Sequence, residues 1–206
     1  MKRFLVLFAM MALCVGVANA QGFIYEHNNE IGIYTTPDPT AENAEEMAVY
    51  TGAPGGSIMG YVVLTNPWNE NTGTPIAAVG GFEFKIVLPA NVFLLSAALP
   101  PATTNFASVP EFLCGANIPV VDDHCTLITL TLFESAGTPS LVFITPVEAA
   151  PQSVPGNIAI TDFNDDFTIS VAHPVSGAFD SPVFGLWSSV VASEDASWGE
   201  VKSLFR

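Results

Sequence analysis

Basic residues are scarce in this sequence. Its 206 residues include five lysines and arginines against twenty aspartates and glutamates, which gives a formal net charge of −15. Proteins that bind nucleic acid or anionic membranes do so through basic patches, so the composition argues against both kinds of partner. Half of the residues are hydrophobic, whereas disordered acidic chains lack the apolar residues that offset the entropy of ordering. We therefore expect a folded domain with an acidic surface.

Long apolar runs are also scarce, and the one at the N-terminus has the form of a signal peptide. Lys2 and Arg3 precede an apolar stretch at 4–17, and small residues at 18–20 supply a cleavage site that ends at Ala20. No later segment approaches about 20 uninterrupted apolar residues, so no transmembrane span is expected in the mature chain. Residues 1–20 are thus predicted to direct export to the periplasm, the cell surface or the extracellular space. Cleavage would remove two basic residues and no acid, which changes the net charge to −17.

Only three cysteines are present, and Cys14 lies within the signal segment. The other two, Cys114 and Cys125, would reach an oxidising compartment in an exported protein, so we predict that they form a disulfide. Metal binding together with His124 is the alternative, but structural zinc sites usually need a second close pair of ligands.

Motifs for catalysis are missing as well. The three histidines are far apart in the sequence, and no H-E-x-x-H pattern or glycine-rich phosphate loop occurs. Gly55-Gly56-Ser57 begins like a nucleophile elbow, but it lacks the closing glycine and precedes a predicted strand instead of following one. We predict a protein that is not an enzyme, and a secreted hydrolase is the least favoured alternative.

The sequence is rich in the two-residue period of β-strands. Large apolar residues occupy every second position from Phe82 to Leu88, Pro89 ends this run, and a second apolar run follows at 92–99. Further strands are predicted at 30–36, 57–65, 125–133, 141–145, 158–160, 167–172 and 183–187. Turn residues at regular intervals between such strands predict an all-β fold, a single jelly-roll or Ig-like β-sandwich of about nine strands.

Two internal segments lack this period. Residues 40–50 contain good helix formers after Thr40, which can cap a helix, and are predicted to be helical. Residues 100–119 are predicted to be irregular.

Lys85 faces outward from its predicted strand, where a surface ion pair with Glu83 is expected.

The C-terminal end differs from the predicted sandwich, which occupies 21–187. Small, polar and acidic residues at 188–196 are typical of a linker, and a capping box at the start of 197–206 is followed by apolar residues spaced for one helical face. We predict a short C-terminal amphipathic helix that serves as a separable sorting or docking element. Its docking side chains would be Trp198, Val201, Leu204 and Phe205.

One loop has the spacing of a calcium site. Asp162, Asn164 and Asp166 place oxygen atoms at alternate positions between two predicted strands, so their side chains can converge on Ca²⁺. An Asx-rich hairpin turn is the alternative, because the glycine and the bidentate glutamate of an EF-hand loop are absent. Weak calcium binding, helped by Asp180, is a hypothesis, and the sequence requires no cofactor.

Two tryptophans raise the question of sugar binding. Trp68, in a polar loop, and Trp187, at a strand end, have the ring surface that stacks against sugars, which would make the protein a carbohydrate-binding module. Packing in the core or within loops is the alternative for both residues.

Two segments resemble cohesin domains and related bacterial sandwich modules. Gly81-Phe82-Glu83-Phe84-Lys85-Ile86, followed by Leu88-Pro89-Ala90-Asn91-Val92, resembles their G-F-E-F strand and P-x-x-V corner, and residues 127–133 resemble their later L-x-T-I-T-F strand. The chain has Val87-Leu88-Pro89 where that family has Y-D-P. The resemblance implies a nine-stranded jelly-roll sandwich without catalysis, used for protein docking or surface display.

We therefore predict an exported, non-catalytic, cohesin-like β-sandwich that binds a protein or a polysaccharide at the exterior of a bacterial cell. A carbohydrate-binding module is the main alternative.

Overall fold

The regular structure consists of β-strands and one short 3₁₀ turn. The computed structural model describes residues 27–52, 55–135, 137–148 and 152–186. In these residues the strands are β1 (Glu30–Tyr34), β2 (Ala48–Tyr50), β3 (Ser57–Thr65), β4 (Trp68–Asn69), β5 (Thr74–Pro75), β6 (Ala78–Val87), β7 (Val92–Ala98), β8 (Thr104–Asn105), β9 (Glu111–Pro119), β10 (His124–Glu134), β11 (Ser140–Thr145), β12 (Ile158–Asp162), β13 (Ile169–Pro174) and β14 (Phe184–Leu186). The 3₁₀ turn, Pro39–Glu42, lies between β1 and β2.

β4 and β5 pair antiparallel as a separate hairpin. The other strands pair in two groups. In the first, β3 lies between β1 and β10, and β7 pairs with the other side of β10, all antiparallel. In the second, β6 pairs with β9 along one side and with β12 and β11 along the other. β8 pairs with β9, while β14 and β2 continue the sheet beyond β11. β13 joins the groups, because it pairs antiparallel with β12 and parallel with β1.

One buried cluster contains side chains from both groups of strands. On β3 the alternate residues Ile58, Val62 and Leu64 are buried, as expected for strands with one face in a core. From β6, the ring of Phe84 packs 5.5 Å from that of Phe82 and 5.6 Å from that of Phe112 on β9, measured between ring centroids. The prediction of an all-β fold is confirmed.

The strand count and the segment 100–119 differ from the predictions. The described residues form fourteen strands instead of about nine, and five of them have only two or three residues. Within the segment predicted to be irregular, Glu111–Pro119 forms the long strand β9. Gly115 and the other small side chains of β9 give weak local strand propensity, but pairing along β6 overrides it.

The predicted helix at 40–50 is wrong. The Asp38 side chain accepts a hydrogen bond from the backbone N–H of Thr40 at 3.0 Å and starts only a 3₁₀ turn. That turn ends at Asn43, whose φ of 59° is left-handed. Residues Ala48–Tyr50 then pair with β14 in parallel, so sheet formation prevails over local helix propensity.

The predicted ion pair between Lys85 and Glu83 is also wrong. The Lys85 Nζ lies 2.8 Å from a carboxylate oxygen of Glu148. Glu83 is only 2% exposed, and its carboxylate accepts hydrogen bonds from the backbone N–H of Ser153 at 3.1 Å and from its hydroxyl at 2.7 Å. The chain that leads into β12 therefore covers the face where Glu83 had been expected to meet solvent.

Several predictions concern residues outside the described ranges. These are the signal peptide at 1–20, the linker at 188–196, the C-terminal helix at 197–206 and Trp187. Among the described residues, none of the helical structure has the length and apolar character of a membrane span.

Candidate functional site

The loop whose acids have the spacing of a calcium site is held together by the side-chain amide of Asn69. Asp162, at the end of β12, is 6% exposed, and its carboxylate accepts hydrogen bonds from the Asn164 backbone N–H at 2.9 Å and the Asn69 side-chain amide at 3.1 Å. The same amide donates to the Asp165 carboxylate at 2.9 Å. Asp166 is exposed in the same loop, and Asp180 is exposed in the segment between β13 and β14. The structure thus gathers Asp162 and Asp165 around Asn69, and calcium binding stays a hypothesis.

Trp68 is half-buried and lies in β4. Its backbone is fixed by Asn29, whose side chain accepts a hydrogen bond from the Trp68 N–H at 2.6 Å and donates one to its carbonyl at 3.0 Å. Trp187, the second predicted stacking residue, lies outside the described ranges, as do the docking side chains Trp198, Val201, Leu204 and Phe205. Sugar stacking and tail docking therefore stay predictions.

Both cysteines of the predicted disulfide are free thiols in the structure. Cys114 on β9 pairs with Phe82, and Cys125 on β10 pairs with Leu64, so the two thiols belong to different strand groups and both enter the core. Burial raises the pKa of each thiol to about 12. A thiol with so high a pKa stays protonated at neutral pH and is a poor nucleophile and a poor metal ligand.

One concavity lies across β9, β6 and β12. Its floor contains Gly80, Gly81 and Gly115, and its volume is about 270 Å³. A Cβ atom at Gly81 would lie 2.6 Å from the carbonyl oxygen of Cys114, and one at Gly80 would lie 2.7 Å from the ring of Phe167. Only glycine allows this close approach of the neighbouring strand and ring. We call this concavity the glycine groove.

Exposed phenylalanines form the walls of the glycine groove. Phe106 is 72% exposed and lies between β8 and β9, and Phe167 is 52% exposed and lies in the β12–β13 hairpin. Phe163, in the same hairpin, contacts Phe167 edge to face, with ring centroids 5.5 Å apart and an interplanar angle of 77°. The walls therefore present aromatic rings above a floor that three glycines leave low.

Specific hydrogen bonds hold the two walls. On one side the Phe106 N–H donates to the Leu113 carbonyl at 2.9 Å, and the Asn105 side chain accepts from the Leu113 N–H at 2.9 Å. On the other side the Phe163 N–H donates to the Ala78 carbonyl at 2.9 Å. Phe167 itself has a left-handed φ of 57°, a conformation that costs free energy for a bulky residue and is held only by its surroundings. The rings are thus positioned by tertiary contacts.

Few polar groups line the glycine groove. The Thr161 hydroxyl is buried there without a hydrogen-bond partner among the described residues, and the Glu83 carboxylate is already bound by Ser153. Asp165 and Asp166 lie in the hairpin that carries the aromatic wall. The groove is therefore largely apolar inside, and the hairpin at one side of it is acidic.

Sequence reasoning did not identify this groove. One aromatic wall comes from the D-F-N-D-D-F segment at 162–167. The spacing of its acids predicted calcium binding, and no role was predicted for its phenylalanines. The clustering of exposed phenylalanines between acids is the signal that could have found it. The glycines of β6 acquire their role only when β9 and β12 pair on either side.

Comparison with known proteins finds similarity at the level of structure only. No protein-family model matches the chain, and no characterised protein matches its sequence. Among solved structures, the chain is similar to a non-cellulosomal cohesin from the hyperthermophilic archaeon Archaeoglobus fulgidus, with a TM-score of 0.40, 12% identity and coverage of 82% of this chain and 97% of that one.

Two modules from Acetivibrio cellulolyticus are similar as well. One is a type II cohesin domain from the cellulosome, with a TM-score of 0.39, 11% identity and coverage of 70% of this chain and 91% of that one. The other is the second type II cohesin module from the adaptor ScaA scaffoldin, with a TM-score of 0.37, 9% identity and coverage of 85% and 100%. The resemblance to cohesin modules noted in the sequence is thus also found among solved structures.

Proposed function

We propose that the protein is a non-catalytic binding module that holds an apolar side chain of a partner protein in the glycine groove. The observation that carries this proposal is a glycine-rich floor between exposed aromatic walls. Phe106 and Phe167 present apolar surface to water, and clustered exposed apolar surface marks interaction sites in soluble proteins. Its burial by a partner contributes roughly 25 cal/mol per Å².

The chemistry of the groove favours a protein over a polysaccharide. Sugar recognition combines aromatic stacking with several hydrogen bonds, whereas Thr161 supplies the one buried hydroxyl without a partner among the described groove residues. The rings of Phe163 and Phe167 meet at 77° and so do not form a flat platform. An apolar anchor that fills a pocket is the usual energetic centre of a protein interface.

The charge of the chain favours a basic partner segment. The net charge is −15, and Asp165 and Asp166 lie beside the aromatic wall. Opposite charges at the rim of an interface raise the association rate and make it depend on salt. We therefore propose an anchor flanked by lysine or arginine, on a partner that the protein meets after export from the cytoplasm.

Selection from a phage-displayed library of random peptides tests this function. We expect the immobilised protein to enrich peptides with an aromatic or large aliphatic residue next to a basic one. Binding of a selected peptide should weaken at least tenfold in Phe106→Ala and Phe167→Ala, because each variant removes one wall. Phe93→Ala is the matched control, since Phe93 is 50% exposed on β7, outside the groove.

Two outcomes would contradict the proposal. Selected peptides that bind Phe106→Ala and Phe167→Ala as tightly as the unmodified protein would place the interaction elsewhere. Binding to a polysaccharide array, without enrichment of any peptide, would favour a carbohydrate-binding module instead.

A further inference from the structure

A second concavity lies where the segment before β1, the loop after the 3₁₀ turn and the end of β13 meet. Its volume is about 470 Å³, and His27, Glu30, Glu45 and His173 are among the residues that line it. None of these residues lines the glycine groove. The two sites can therefore be tested independently.

Three metal-ligating atoms converge in this concavity. The His27 Nδ1 lies 3.7 Å from a carboxylate oxygen of Glu30 and 3.8 Å from one of Glu45, and all three ligand atoms lie within 4.8 Å of one another. Tetrahedral zinc, with bonds of about 2.0–2.2 Å, holds its ligand atoms about 3.3–3.6 Å apart. Movements of a few tenths of an ångström at the two His27 contacts would bring them to that separation.

A second imidazole, that of His173, lines the same concavity outside the cluster of three converging ligand atoms. In the parallel pairing of β1 with β13, Glu30 lies directly beside His173, and paired residues of adjacent strands have their side chains on the same face of the sheet. The His173 backbone N–H donates to the Asn29 carbonyl at 2.9 Å, which fixes the position of the strand. Two imidazoles and two carboxylates thus line one concavity although they come from distant parts of the sequence.

The three converging side chains differ in their exposure to solvent. The Glu30 side chain is 9% exposed and that of Glu45 is 19% exposed, whereas the imidazole of His27 is 69% exposed. A nearly buried carboxylate at the base and an exposed imidazole at the mouth leave an entry path for an ion. Ordering of the exposed imidazole would accompany binding.

We propose that His27, Glu30 and Glu45 bind one divalent transition-metal ion, for which Zn²⁺ is the representative, and that His173 turns toward the ion as its fourth ligand. Imidazole nitrogens with carboxylates suit Zn²⁺ and its neighbours, whereas Ca²⁺ takes oxygen ligands. The bound ion links the segment before β1, through His27, to the loop between the 3₁₀ turn and β2, through Glu45. Its role is structural, since it fastens the start of the sandwich to its own first loop.

Calorimetric titration of the metal-free, reduced protein with ZnCl₂ tests the proposal. We expect one Zn²⁺ per chain, a rise in melting temperature on binding, and at least tenfold preference over Ca²⁺ and Mg²⁺. His27→Ala, Glu45→Gln and His173→Ala should each weaken Zn²⁺ binding at least tenfold. His124→Ala is the matched control, because this histidine lies at the start of β10, outside both the cluster and the concavity.

His27→Ala keeps the test decisive, because its exposed side chain can be removed without disturbing the core. Zn²⁺ binding that is unchanged in His27→Ala and His173→Ala overturns the proposal, as does the absence of any Zn²⁺ heat. Equal binding of Ca²⁺ that is abolished by Asp162→Asn would also overturn it and would place a cation in the β12–β13 loop instead.

Discussion

At the scale of single residues, Gly81 and Gly115 form a matched pair in the floor of the glycine groove. In Gly81→Ala the new Cβ would lie 2.6 Å from the backbone oxygen of Cys114, which can move only if the pairing of β6 with β9 is disturbed. We expect the free energy of unfolding to fall by about 1–3 kcal/mol. In Gly115→Ala the nearest atom is Cε2 of Phe106 at 3.4 Å, so stability should change by less than about 0.5 kcal/mol.

Urea denaturation of both variants checks this difference. Gly115→Ala should still weaken peptide binding, because its methyl group adds to the floor of the groove beside Phe106. Equal loss of stability in the two variants would contradict the described contact between β6 and β9.

The two buried thiols predict a loss of stability at high pH. Burial raises the pKa of Cys114 and Cys125 to about 12 from an ordinary value of 9.0. Below pH 9 both thiols are neutral in the native and unfolded states, so their contribution to stability is fully present. Between pH 9 and 12 the unfolded state ionises first, and the free energy of unfolding falls by at most about 1.4 kcal/mol per pH unit for each thiol.

Urea denaturation at several pH values between 8 and 11, with Cys125→Ala for comparison, measures this slope. The variant loses one thiol and should show a shallower decline, whatever its stability at pH 8. Native thiols should also resist alkylation at pH 8 and react only after unfolding. A protein without titratable thiols, before or after unfolding in the absence of reductant, would contradict the free-thiol state and support the disulfide predicted from the sequence.

At the scale of elements, the Asn69 side chain fastens the β4–β5 hairpin to the β12–β13 hairpin. Asn69 is fully buried, its amide donates to the carboxylates of Asp162 and Asp165, and its oxygen accepts from the backbone N–H groups of Asn71 and Thr72. Asn69→Ala removes these four hydrogen bonds, so we expect a loss of at least about 2 kcal/mol of stability.

The same substitution should weaken peptide binding in the groove, because the β12–β13 hairpin carries Phe163 and Phe167. Urea denaturation and peptide titration of Asn69→Ala measure the two effects. Asn71→Ala is the control, since Asn71 is exposed and contributes its backbone N–H to this contact. If both variants behaved alike, the buried amide would not be what positions the hairpin.

The elements also show where sequence patterns succeed. The β-branched and aromatic residues at 57–65, which follow a turn, predicted β3 with the bounds that the structure has, because one face of that strand is buried along its length. β9 and β2 were missed because their partners are remote in sequence, and Asn43 ended the expected helix through its backbone conformation.

The same holds for the candidate sites: contacts between neighbouring residues could be predicted from the sequence, and contacts between remote residues could not. The Asx turn at Asp162 is a local contact between neighbouring residues, and the sequence offered it as the alternative to calcium. The glycine groove requires β6, β9 and β12 to be assembled, and the convergence of His27 with His173 requires β1 to pair with β13. Neither follows from the spacing of residues along the chain.

At the scale of the whole molecule, the excess of acid predicts that salt stabilises the fold. The net charge is −15, and Lys85, the sole lysine or arginine of the described residues, is paired with Glu148. Like charges on a compact surface repel one another, and salt screens that repulsion over a distance of about 10 Å at 0.1 M. We expect the melting temperature to rise between 10 mM and 0.5 M NaCl at pH 7.

The same titration at pH 4 separates screening from a general effect of NaCl. Many carboxylates are protonated there, so the repulsion and the rise with salt should both be smaller. Peptide binding in the groove should respond in the opposite direction at pH 7, because salt weakens attraction between a basic anchor and the acidic hairpin. A melting temperature that rises equally at both pH values would show that salt does not act by screening repulsion between the acidic residues. The charge argument for a basic partner would then lose its support.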